Sequence, residues 1–143
     1  MIKRSALIGL LSATFLVAAS AQPALTTAVK RQKLLIQMSE ADPAKWNMAL
    51  NNAKNVQDEL GAVNVDIEIV AFGPGINMIK FDSPANSRVT EAMKSGIAVV
   101  ACENTLHNLK ISKADIISGA SFVPAGVVQI MRRQSEGWAY VRP

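Results

Sequence analysis

Short apolar runs, separated by longer stretches of helical spacing, set the pattern of this chain. Lys33-Leu34-Leu35-Ile36-Gln37-Met38 is too brief for a helix and reads as a buried strand. Val65 to Phe72, Ile97 to Ala101, Ser121 to Val123 and Trp138 to Arg142 are the next four. In the last, Trp138, Tyr140 and Arg142 share one face, and Ala139 and Val141 share the other, because side chains alternate along a strand.

Helical signals fill the gaps. Asp42-Pro43 opens the first: Asp accepts from orphan N–H groups, and Pro has no N–H to waste at the first position. Trp46, Ala49, Leu50, Ala53, Val56 and Leu60 then form one apolar face, and Gly61 is the expected stop. Asn47, Asn51 and Asn55 lie four apart beside that face. Asn is a mediocre helix former, so the stripe is either a solvated face, the favoured reading, or a subunit contact through amides. Ile76 to Phe81 predicts one helical turn. Ser83-Pro84 starts a helix with Ala85, Val89, Ala92 and Met93 inward, closed by Ser95-Gly96. Asn104 to Leu109 is a short helix, and Ser112-x-x-Asp115 resembles a capping box opening another that Gly119 stops. Val127 to Gln134 is the last.

Strands alternating with helices predict a three-layer α/β/α domain over residues 33–143, with a mostly parallel five-stranded sheet. Residues 1–21 read as a signal peptide: Lys3 and Arg4 precede the apolar Ala6 to Ala18, and Ala19-Ser20-Ala21 is a small-x-small cleavage site before Gln22. Residues 22–32 form a flexible arm. The expected location is periplasmic or secreted, with no stable membrane insertion after cleavage. An uncleaved anchor is the alternative, disfavoured by the shortness of the apolar run.

Composition adds limits. The chain has 143 residues, half of them hydrophobic, enough for one domain with a real core. Losing Lys3 and Arg4 lowers the net charge from +4 to +2. No basic run interleaved with aromatics remains, so nucleic acid is not an expected partner. Arg132-Arg133 are adjacent basics that would complement a helix C-terminus. A single cysteine rules out an intramolecular disulfide.

That cysteine is the main chemical candidate. In open α/β sheets, ligands bind outside the carboxyl ends of the strands. Four turns converge there: Ser39 to Asp42, Gly73 to Gly75, Cys102 to Thr105, and Pro124 to Gly126. Cys102 is the only strong nucleophile among them. Helix-start N–H groups after it would favour the thiolate, while Glu103 would oppose it. Buried filler and reactive thiol are equally compatible with the composition. His107, five residues on, is more simply a surface residue than a base. One Cys and one His do not make a metal site. The G-x-S-x-G elbow is absent, so a serine triad is not expected. Gly73-Pro74-Gly75 lacks the third glycine and acidic partner of a dinucleotide fingerprint, and no cofactor is expected.

Several motifs together resemble the DsrE/DsrF-like (YchN-like) proteins, small α/β domains linked to sulfur relay. They are Asp42-Pro43-Ala44-Lys45-Trp46 with the Asn-rich helix, Val70-Ala71-Phe72-Gly73-Pro74-Gly75, Val100-Ala101-Cys102-Glu103-Asn104-Thr105, Val123-Pro124-Ala125-Gly126-Val127-Val128 and the final Gly137-Trp138-Ala139-Tyr140-Val141-Arg142-Pro143. With the leader, the chain looks like an exported branch. The resemblance implies that Cys102 carries sulfane sulfur as a persulfide between a protein thiol donor and an acceptor. Gly73, Gly75, Glu103, Asn104, Thr105, Pro124 and Gly126 would shape its pocket, with His107 an outside candidate for orienting or proton transfer. It also implies a homo-oligomer, trimer or hexamer, which suits the aromatic face of the last strand. The alternatives are a small-ligand-binding module with Cys102 as lining, or a redox-sensing oligomer paired through Cys102.

Overall fold

The computed structural model describes residues 30–143. The expected signal peptide, and all of the arm before Lys30, lie outside the described residues. Five strands, β1 (Gln32–Met38), β2 (Val65–Ala71), β3 (Ala98–Cys102), β4 (Ser121–Val123) and β5 (Ala139–Val141), form one sheet in the order β4-β3-β2-β1-β5. Every adjacent pair is parallel. Four α-helices accompany them: α1 (Pro43–Leu60), α2 (Asn86–Lys94), α3 (Glu103–Leu109) and α4 (Gly126–Ser135).

Topology decides which helix covers which face. From β1 to β4 the chain steps one way across the sheet, so right-handed crossovers lay α1, α2 and α3 on the same side. It then returns past β1 to β5, and the same handedness puts α4 on the other side. The core follows this division. Leu34, Ile36, Ile67, Ile69 and Val99 pack with Trp46, Leu50, Val89 and Leu106 on the first face. Leu35, Val70 and Val100 pack with Ile130 on the second. Each fully buried Leu, Ile or Val contributes about 1.5–3 kcal/mol.

Helix starts follow the local chemistry with one displacement. Asp42 accepts the Ala44 N–H at 2.9 Å, as expected of an N-cap. Gly61 ends α1 at φ 83°. Leu60 is 40% exposed and stands outside the predicted apolar face. Ser83 does not cap α2 directly. Its Oγ accepts the Ala85 N–H at 3.2 Å and closes a turn first, so α2 begins at Asn86. Ser112 and Asp115 do form a complete capping box, on a 3-10 turn of three residues. The Gly73-Pro74-Gly75 turn opens a 3-10 helix, Gly73–Ile79.

Two groups of side chains have a role that differs from the expected one. Asn47 and Asn51 accept hydrogen bonds from the Arg88 guanidinium, the Asn51 one at 2.7 Å, and so clamp α1 to α2. Arg133 is not a free cap for the α4 carbonyls. It reaches into the sheet, donating to Glu68 at 2.6 and 3.0 Å, and stacks on Trp138 at 4.7 Å.

Candidate functional site

β3 and β4 are neighbours, yet their following helices leave in opposite directions, α3 to one face and α4 to the other. Such a divergence opens a crevice at the carboxyl edge of the sheet. Cys102 is the last residue of β3 and the N-cap of α3, so it lies at the mouth of that crevice. Its register partner Val123 ends β4, and Pro124 follows.

The surroundings of the sulfur shift its acidity in two directions. Burial pushes the Cys102 thiol up, as removal from water penalises the anion. The Thr105 hydroxyl and the N–H groups of Gly126, Thr105 and Asn104 outweigh this and hold it below the ordinary thiol value. Cys102 is 5% exposed, and its thiol donates to the Pro124 carbonyl at 4.0 Å. That carbonyl also accepts the Asn104 N–H at 3.1 Å, tying the start of α3 to the end of β4.

Thr105 links two loops. Its Oγ1 accepts the Gly73 N–H at 2.9 Å, which leaves its O–H free to donate to the sulfur. The Gly73 turn thus fixes the rotamer of the group that stabilises the thiolate. Gly75 locks the same turn in place: a Cβ there would fall 2.2 Å from the Met38 carbonyl, so only glycine permits this approach to β1. Gly126 plays the matching part on α4. A Cβ there would meet Cys102 Cβ at 3.2 Å and Phe72 Cβ at 3.1 Å.

Glu103, in the first turn of α3, is paired with Lys113. His107 is exposed, and it is not among the groups that act on the thiol. It stands two positions past Thr105, about 200° around the helix. The fold therefore gathers Gly73, Asn104, Thr105, Pro124 and Gly126 at Cys102, supports them with Gly75, and leaves His107 outside. Phe72 is an addition: it is opposite Cys102 one step past the paired residues Ala71 and Ala101, in a position the strand alternation alone could have indicated.

Between the Gly73 turn and α3, a cleft of about 430 Å³ is lined by Gly73, Pro74, Asn77, Thr105, Asn108 and Leu109, and Cys102 is not part of its lining. Another, of about 380 Å³ between α1 and α2, shares no residue with the Cys102 cluster. Among the described residues no helix is long and apolar enough to cross a membrane.

A doubly wound α/β domain with a single cysteine at the carboxyl edge of its sheet defines the class. Residues 32–143 match the DsrE/DsrF-like family, and the chain belongs to it. Membership suggests a role related to sulfur relay. Two solved structures have the same architecture. A protein of unknown function, MTH1491 from Methanobacterium thermoautotrophicum, is 34% identical, with a TM-score of 0.75 over 78% of this chain and 99% of its own. A conserved protein of unknown function, BT1422 from Bacteroides thetaiotaomicron, is 18% identical, with a TM-score of 0.63 over 78% and 95%, a likeness of fold alone. No curated protein gives a comparable match.

Proposed function

We propose that the protein is a sulfur carrier in which Cys102 accepts sulfane sulfur and passes it to a partner thiol. The observation that supports this is the placement of Cys102: it ends β3 and starts α3, with Gly126 packed on it and Thr105 held by the Gly73 N–H, surroundings that hold the thiol below its ordinary value despite burial. The thiolate is the nucleophilic form. It attacks the outer sulfur of a donor persulfide, R–S–SH. The donor S–S bond breaks, a new S–S bond forms on Cys102, and the donor leaves as R–S⁻. An acceptor thiolate repeats the exchange in reverse and regenerates the Cys102 thiolate. No net oxidation occurs, and no cofactor is needed.

The partner would approach from α4. Val127, Val128 and Met131 are 55%, 48% and 66% exposed there, an apolar rim next to the crevice. The same rim supports a homo-oligomeric assembly. The basic start, apolar run and small-x-small site of residues 1–21 support export.

Incubating the purified chain with a small persulfide donor tests the carrier role by intact mass. One added sulfur atom on the wild type and none on Cys102→Ser is expected. Equal addition to both, or none to either, ends it. The low exposure of Cys102 favours a second reading, a binding module with the thiol as lining. Under that reading, alkylation at neutral pH would be no faster than for a free cysteine model.

A further inference from the structure

Glu68 is a buried acid in the middle of β2, its side chain 3% exposed, whereas the other acid of that strand, Asp66, is 40% exposed and paired with Arg31. Nothing in the sheet requires it there. It lies beneath α4, which also covers Cys102. One carboxylate oxygen accepts from Gln129 at 2.8 Å, and the other accepts from Arg133 at 2.6 and 3.0 Å. Gln129 and Arg133 are one and two turns past Gly126 on the face of α4 turned to the sheet. Arg133 is steadied in turn by Glu136 at 3.0 Å and by the Trp138 ring. Four of the five groups in this network belong to α4 or the turn after it, and Glu68 is the only one anchored in the sheet.

The apolar contacts of α4 are few: Ile130 is its only buried large hydrophobic side chain. Apolar packing does not fix the position of a helix along its own axis closely, whereas charge-assisted hydrogen bonds do. Gly126, the first residue of α4, packs directly on Cys102 and Phe72, so its N–H can act on the sulfur only while the helix keeps that place.

We propose that Glu68 is a positioning residue for Cys102, holding α4 through Gln129 and Arg133 so that the Gly126 N–H stays on the sulfur. This rests on Cys102 being the reactive group. The effect passes through the helix, not through space. Glu68 pairs with Ala98, four residues before Cys102 on β3, a separation of about 13 Å. Removing a negative charge at that distance would favour the thiolate slightly, whereas loosening α4 disfavours it. The direction of change therefore separates the two causes. The charged groups nearer the thiol are Glu103 with Lys113, and His107 farther along α3. The 3-10 helix Gly73–Ile79 and the first turn of α4 carry no charged side chain.

The rate of Cys102 alkylation against pH, in the full chain, tests this. Glu68→Gln and Gln129→Met should each raise the midpoint by about half to one unit and slow the reaction at neutral pH about three- to tenfold. Val89→Ala, a cavity on the opposite face, should lower the melting temperature and leave the midpoint in place. Gln129→Met reports even if Glu68→Gln fails to fold. An unchanged or lowered midpoint in the folded variants, or an equal rise in Val89→Ala, overturns the positioning role alone. A wild-type midpoint at that of a free cysteine overturns the reactive thiol and the positioning role together.

Discussion

A β-carbon built on Gly126 lies 3.2 Å from the β-carbon of Cys102. The start of α4 is therefore packed against the thiol-bearing residue at a distance only glycine allows without adjustment. Gly126→Ala keeps the N–H but pushes it outward, because both nearest atoms, on Cys102 and Phe72, are close to the backbone. The expected result is a loss of about 1–3 kcal/mol in stability from overpacking. Alkylation at neutral pH should also slow several-fold, read by thiol labelling alongside urea unfolding.

Thr105 gives a prediction that separates shape from hydroxyl. Thr105→Val preserves the branched shape but removes both the donor to Sγ and the acceptor for Gly73. The Cys102 titration midpoint should rise by about one unit, and stability should fall by about 1–3 kcal/mol for the orphaned Gly73 N–H. Thr105→Ser retains the hydroxyl and should stay close to wild type in the thiol titration. Ultraviolet absorbance of the thiolate against pH reads both.

The strands were legible because a sheet covered on both sides makes each strand a nearly continuous apolar run. Cys102 could be placed at the carboxyl edge by the same alternation, and the two ends of α1 by its opening Asp42-Pro43 and closing Gly61. What could not be read was set by partners distant in the chain. Thr105 meets Gly73 across 32 positions, and Arg88 meets Asn51 across 37. The strand order depends on which edge β5 joins, and a β5 of three residues carries no local mark of that choice. Glu68 did leave a signal, an acid flanked by isoleucines in a buried run. Its meaning lay 65 residues away at Arg133.

Two members of the asparagine stripe, Asn47 and Asn51, form an internal clamp with Arg88, and the clamp has a measurable value. Arg88→Ala should lower stability by about 0.5–1.5 kcal/mol, the range of ordinary net hydrogen bonds at an exposed site. Asn51→Ala should cost a similar amount, and the double variant less than the sum, since each single change removes the same bond. Denaturant titrations of the four proteins measure that coupling. Alkylation of Cys102 should be identical in all of them, because the clamp lies on α1 and α2, away from the crevice.

At the end of β1, Glu40 offers a test by acid. The Arg142 guanidinium, joined by the Ser39 hydroxyl and Lys45, holds its carboxyl at about 2, well below the usual 4.5, against a smaller opposing effect of burial. A carboxyl that ionises more readily when folded stabilises the fold above its unfolded value and loses that contribution as the pH falls toward its folded one. The window therefore runs from about 4.5 down to about 2. In Glu40→Gln the contribution is absent at every pH. The stability difference between wild type and variant should then be constant above the window and shrink through it, with Arg142→Gln giving the same profile. Carboxyl resonances followed by NMR should place the Glu40 midpoint near the bottom of the window in wild type. In Arg142→Gln the midpoint should move back up toward the ordinary carboxylate range. A midpoint that stays low in Arg142→Gln would assign the shift to Ser39 and Lys45 instead.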